Sequence, residues 1–252
     1  MSFVTSGTIA LVTGANRGIG RALVDALLAR GAVKVYAGAR RLDSLAPLVA
    51  AGRGRVVPVQ LDVTRPDDVR AAAAHASDVT LLVNNAGIVA RFGAPFTDAG
   101  WIDAGRQEYE VNVLGALAVT QAFAPILGRN GGGAVANISS VAGLVAFDIL
   151  TSYSASKAAL HSVTQATRRS LKAQGTYVAG IYPGPVDTDM AKVLELEKAT
   201  PAQAAAAILD GLEAGDDEIF PDPMSRQAGP LFLADPKALE RQQLEAVEPV
   251  GQ

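Results

Sequence analysis

Apolar and polar positions along the chain fall into two alternating rhythms. Short, continuously apolar runs occur at 8–13 (TIALVT), 33–39 (VKVYAGA), 55–61 (RVVPVQL), 78–86 (DVTLLVNNA), 132–139 (GGAVANIS) and 176–183 (TYVAGIYP). Each has the length and β-branched content of a strand buried on both faces. Longer, Ala-rich stretches with helical apolar spacing lie between them, at 18–31, 66–76, roughly 103–128 and 151–174. Two further helices are expected. One spans 200–215, with Thr200 as N-cap and Pro201 at the first helical position. The other is polar, spans 234–247 and leads into a frayed tail. Fully apolar strands alternating with amphipathic helices predict an α/β protein, a single domain over 1–252 built on a doubly wound parallel sheet with helices on both faces. Pro58 removes a ladder donor from the third strand and predicts an edge or a strand end there. The stretch GRNGGG (128–133) reads as a turn within the domain.

Composition narrows the function. The chain has 252 residues, 49% hydrophobic and 19% charged, with a net charge of −3, too little positive charge for a nucleic-acid partner. It has no cysteine, which excludes disulfides, thiol nucleophiles and thiolate metal sites. Its two histidines are His75 and His161, and a Ser–His–Asp hydrolase would have to use one of them. The acidic run GDDE (215–218) lacks ligand spacing, and no metal is expected. No run of 18 apolar residues occurs, and the N-terminus lacks a charged region followed by an apolar one. A soluble, cytoplasmic protein with no membrane contact is the expectation.

The turn after the first strand, TGANRGIG (13–20), carries Gly14, Gly18 and Gly20 with Asn16, Arg17 and Ile19 between them. Glycines allow close backbone approach to a pyrophosphate, and the following helix N-terminus offers unpaired N–H groups. The spacing is not the usual G-x-G-x-x-G. Tyr153 and Lys157, in YSASK, share one helix face one turn apart. With the turn, the motif NNAG (84–87), Asn112, Ser140 and PGPVDT (183–188), they make the chain similar to the short-chain dehydrogenase/reductase family over about residues 8–190.

That resemblance implies a Rossmann-type fold and a catalytic tetrad of Asn112, Ser140, Tyr153 and Lys157. Tyr153 would exchange a proton with a carbonyl or alcohol oxygen, and Lys157 would also bind the nicotinamide ribose. Ser140, rather than Ser139 on the opposite side of the strand, would hold the substrate oxygen. Asn112 would mark a helix irregularity that holds a water relaying protons to Lys157. Asp62 would contact the adenine amino group, with Val63 beside it. Asn85, Ala86 and Gly87 would line the adenosine side, and Pro183, Gly184, Val186 and Thr188 the nicotinamide.

Free tyrosine has a pKa of about 10. An ammonium about 5 Å away supplies roughly 3 kcal/mol toward the phenolate at an effective dielectric of 20. Lys157 is therefore expected to lower the Tyr153 pKa. Cofactor choice turns on the end of the second strand. Ala39 stands where an acid would select NAD, and Arg40 and Arg41 follow it. Guanidinium groups suit a 2′-phosphate, so NADP(H) is expected, with Arg40 and Arg17 as its ligands.

Segments 88–97, 141–150 and 184–200 should wall the substrate. They offer Val89, Phe92, Leu144, Val145, Phe147, Ile149, Leu150, Met190, Val193 and Leu194, with Arg91 and Lys192 as the cationic anchors. The expected substrate is a small, neutral, apolar ketone or aldehyde, reduced by NADPH. A non-catalytic NADP(H)-sensing regulator is the alternative, and a dehydratase or epimerase a third. The family assembles through its two long helices, here about 103–128 and 151–174, so a homodimer or homotetramer is expected. His161 is expected to face water or a neighbouring subunit, and His75 water. Trp101, Asp98 and Asp103 read as structural or lid residues.

Overall fold

The computed structural model describes residues 3–245. One parallel sheet of seven strands runs in the order β3-β2-β1-β4-β5-β6-β7. The strands are β1 (Ile9–Thr13), β2 (Lys34–Ala39), β3 (Val56–Gln60), β4 (Leu81–Asn84), β5 (Ala134–Ile138), β6 (Tyr177–Ile181) and β7 (Glu218–Ile219). β4 and β5 are buried at every position. Side-chain alternation splits their apolar residues between two cores. Val12, Val83 and Ala136 pack with Leu23, Leu27, Ile208 and Leu212 on one face. Leu11, Leu82 and Val135 pack with Val69, Val119, Phe123 and Leu127 on the other. β3, with Pro58, is an edge strand, as the missing donor requires.

Helices α1 (Gly18–Ala29) and α7 (Pro201–Ala214) supply the first core, with α2 (Ala46–Ala51) at its margin. α3 (Pro66–His75) and α5 (Ala116–Arg129) supply the second. α4 (Gly100–Tyr109) runs without interruption through one π-helical turn, Glu110–Gly115, into α5. The expected irregularity at Asn112 is this wide turn. The resulting 30-residue helix is long and apolar enough to cross a membrane by length and composition, which the search for unbroken apolar runs did not anticipate. Half of its most apolar window is buried within the fold. α6 (Thr151–Leu171) packs beside α4 and against β6.

The fourth strand ends earlier than its apolar run. Asn85 N–H turns to Val83 O and Thr13 Oγ1, and the chain leaves the sheet. α7 begins at Pro201 under a capping box between Thr200 and Gln203, as expected. Beyond it the acidic run leads into β7 and then α8 (Pro223–Ala234), neither of which was expected, while α9 (Pro236–Glu245) falls within the polar helix expected over 234–247. Asp222 and Ser225 form the capping box of α8. The expected frayed tail lies outside the described residues.

Candidate active site

In this strand order the chain reverses direction across the sheet between β1 and β4, and the carboxyl ends of these strands frame a crevice. The glycine turn lies there. Gly14 and Gly18 hold φ of +64° and +54°, values that a side chain would strain. A Cβ on Gly20 would lie 2.4 Å from both Asn85 Nδ2 and Gly14 O. Asn85 Nδ2 donates to Thr13 O and Gly14 O at 2.8 and 3.1 Å, so this side chain ties the turn to the end of β4. Thr13 Oγ1 accepts from the N–H groups of Asn85 and Ala86, a role that the T of TGANRGIG could have signalled. No side chain caps α1, and its first-turn N–H groups remain for a ligand. A cradle held open by glycine, ending at an uncapped helix, fits a dinucleotide pyrophosphate. Asn16 is half-buried beside it, and Gly18 and Ile19 line the cavity below.

At the end of β2, Ala39 is buried while Arg40 and Arg41 are exposed. Arg41 Nε lies 3.4 Å from Asp43, and Arg17 lies 3.8 Å from Asp189. Among the described residues Arg40 makes no ion pair. Asp62 Oδ1 accepts from the N–H and hydroxyl of Thr64, which shapes the turn after β3. Val63 packs under the π turn, where a Cβ on Gly115 would come within 2.6 Å of it.

The four residues of the implied tetrad converge from three elements. Ser140, Tyr153 and Lys157 line one cavity, and Asn112 stands behind it. Lys157 Nζ lies 5.7 Å from the Tyr153 ring centroid and donates to Ile138 O at 2.8 Å. Ser140 Oγ accepts from Ala142 N–H and donates to Pro183 O. Ser139 Oγ instead donates to Lys157 O, as strand alternation requires. Asn112 Oδ1 accepts from Ile88 N–H, and its Nδ2 donates to Ile88 O and Ser156 Oγ. A Cβ on Gly87 would lie 3.2 Å from Asn112 Oδ1 and 3.5 Å from Lys157 Nζ. Gly87 thus keeps the backbone against this pair.

The electrostatics correct one expectation. Tyr153 is pushed up to about 12, not down. Burial is the main cause, the hydrogen bond from Ser140 opposes it, and the charge of Glu108 adds to it. Burial likewise pushes Lys157 down to about 8. Desolvation disfavours the charged form of both groups. The phenol is therefore firmly protonated.

The cavity has a volume of about 310 Å³ and runs from Arg17, Gly18 and Ile19 past Asn85 and Gly87 to Tyr153. Pro183, Gly184, Val186 and Thr188 border it. Val89, Phe92, Phe147, Ile149, Leu150, Met190 and Leu194 line its far end, as expected, joined by Leu196 and Met224. Leu144 and Val145 turn away into an apolar cluster with Ala228 and Leu239, and Val193 is exposed. Met224 was missed because it stands on α8, outside the three expected walls. The two cationic anchors are both engaged, Arg91 by Asp98 and Lys192 by Asp189 at 2.5 Å.

Other expectations meet mixed outcomes. His161 is half-buried. Its Nδ1 lies 2.6 Å from Tyr182 Oη, Phe232 packs edge-on against the ring, and burial lowers its pKa. His75 is exposed beside Tyr36. Trp101 is buried and its Nε1–H donates to Pro95 O. A polar network inside the sheet went unread: Asn84 Nδ2 donates to Asn137 Oδ1 and Thr120 Oγ1, and Asn137 Nδ2 to Thr164 Oγ1. Asparagine within the buried run AVANIS (134–139) was its signal.

The short chain dehydrogenase family model matches residues 8–199. An uncharacterized oxidoreductase of Staphylococcus aureus is 33% identical over 218 residues, 83% of this chain and 92% of the relative. A Burkholderia cenocepacia short chain dehydrogenase, solved in complex with NADP, superposes with a TM-score of 0.86 at 40% identity, over 95% of this chain and 98% of that one. A Burkholderia phymatum short chain dehydrogenase/reductase in complex with NAD gives a TM-score of 0.80 at 25% identity, over 99% and 100%. The chain belongs to the short-chain dehydrogenase family and is an oxidoreductase. A nicotinamide dinucleotide is common to both complexes, while the choice between NADP and NAD differs.

Proposed function

We propose that this protein is an NADPH-dependent reductase of small, neutral, apolar ketones or aldehydes. The observation that carries the proposal is one continuous cavity joining the glycine turn to the Tyr153 hydroxyl and ending in an apolar wall. Arg40 favours NADP(H), because an exposed guanidinium with no acid at the end of β2 and no ion pair among the described residues suits a 2′-phosphate, and Arg17 would have to turn from Asp189 to join it. NADPH, when bound, supplies the hydride. Gly14, Gly18, Gly20 and the N-terminus of α1 hold its pyrophosphate. Lys157 holds the nicotinamide ribose, and Val186 and Thr188 the carboxamide. Ser140 positions the carbonyl oxygen, and Tyr153 donates a proton to it as negative charge develops there. The high pKa of Tyr153 keeps it in the donor form at neutral pH. The pairing of Arg91 and Lys192 supports a substrate without a carboxylate or phosphate. Apolar residues exposed along the long helix, Ile102, Tyr109 and Leu114, favour a homodimer or homotetramer built on that face.

The test is a screen of ketones and ketoacids with NADPH and NADH, repeated with Tyr153→Phe. Turnover of apolar ketones with NADPH is expected. In the variant it should fall by about a hundredfold or more, the usual contribution of a general acid, with NADPH still bound. Preference for anionic ketoacids would overturn the substrate class. Undiminished turnover in the variant would overturn the role of Tyr153, and NADPH binding without any turnover would favour a sensor.

A further inference from the structure

Glu108 is a buried carboxylate that none of the chemistry above uses. It is 0% exposed, on the last turn of α4, immediately before the π turn. Its Oε1 accepts from Ala90 N–H at 2.8 Å, and its Oε2 has no hydrogen-bond partner among the described residues. Four residues on, Asn112 holds Ile88 by both its N–H and its carbonyl. The two side chains therefore clamp the chain between Ile88 and Ala90, the start of the segment from which Val89 and Phe92 face the cavity.

We propose that Glu108 is a positioning residue of this site: it holds the substrate-facing segment by the Ala90 N–H and so fixes Val89 and Phe92 at the cavity wall. The inference rests on the reductase reading for its kinetic consequence, and not for its structural one.

Glu108→Gln keeps an oxygen for Ala90 N–H, and Glu108→Ala removes it. In Glu108→Gln the KM for the ketone is expected to stay at the parent's value. In Glu108→Ala that KM should rise about fivefold or more, and hydrogen exchange of the peptide over residues 88–92 should quicken, whereas Glu108→Gln should protect it as the parent does. A KM raised as far in Glu108→Gln as in Glu108→Ala would overturn the role of the acceptor oxygen. Unchanged exchange in a folded Glu108→Ala would overturn the clamp. If the parent protein turned over no ketone, the reductase reading would fail, and the exchange measurement would decide this one by itself.

Discussion

Lys157 shows what the crevice does to a single side chain. It is 4% exposed, and its ammonium donates to Ile138 O. Burial lowers its pKa from 10.5 to about 8. Between those values the unfolded chain binds the proton that the folded chain has released, so stability rises with pH across that window. Below it the lysine is charged in both states and the full penalty applies, about 3 kcal/mol at most. Above it the lysine is neutral in both states and the penalty is gone. The melting temperature of the cofactor-free protein is therefore expected to climb between about pH 8 and about pH 10, and Lys157→Met to flatten that climb. Parallel curves would contradict it. Tyr153, Tyr177 and Tyr182 have raised pKa values and pull the other way at higher pH, which closes the useful window. At this scale the sequence was informative wherever spacing decides geometry. The four-residue offset put Tyr153 beside Lys157, and alternation set Ser139 and Ser140 on opposite sides, with the family resemblance favouring Ser140. It was silent where burial decides. Glu108 and Glu110 look alike in EYEVN, yet only Glu108 is buried. The direction of the Tyr153 shift likewise depends on how much protein surrounds the ring.

Elements bring these residues together through close approaches that small side chains permit. The short 3₁₀ turn Val141–Gly143, which follows Ser140, lies against α6. A Cβ on Gly143 would stand 2.7 Å from the carbonyl carbon and oxygen of Lys157 and 3.1 Å from Ala158 N. These are backbone atoms of a long helix and cannot swing aside. Gly143→Ala must push α6 away from the end of β5, at a cost of about 1–3 kcal/mol for overpacking. The displacement separates Ser140 from Tyr153. Ketone turnover should then fall about tenfold or more, because small misplacements at a reacting centre are costly. Affinity for NADPH should hold, since the glycine turn belongs to β1 and α1. Thermal melts and single-substrate kinetics on the variant would check both, and parent-like values for each would refute the account. Most helices were legible from apolar spacing and punctuation, including the Thr200–Pro201 start of α7. The π turn was foreseen only as an irregularity, because a polar residue inside a helix signals disturbance without its form. The fourth strand was read too long, since no glycine or proline interrupts the chain before Gly87, while the N–H groups of Asn85 and Ala86 turn to Thr13.

Over the whole molecule, legibility fades toward the C-terminus. The sheet and its two faces follow from alternating runs that each contain their own signal. The part from β7 through α8 takes its order from partners far away in the sequence. β7 has two residues and exists because β6 offers an edge. α8 is fixed by Asp222, which is 2% exposed and accepts from Ser225 N–H and from Gly184 N–H at 2.7 Å. One carboxylate thus caps the helix that carries Met224 and holds the segment that borders the cavity after β6. Asp222→Ala removes the cap, worth about 1 kcal/mol, and leaves the Gly184 donor without its partner, which adds about 1–3 kcal/mol. A loss near 2–4 kcal/mol in denaturant unfolding is expected. Asp222→Asn keeps an acceptor for one of the two donors and should lose less. With α8 loosened, Met224 no longer closes the apolar end, and KM for an apolar ketone should rise more than KM for NADPH, whose pyrophosphate cradle lies on β1 and α1. If instead NADPH binding weakened as much as ketone binding, α8 would be holding the whole crevice rather than its substrate wall. If Asp222→Ala unfolded at the parent's denaturant midpoint, the carboxylate would not be what joins the last third of the chain to the site.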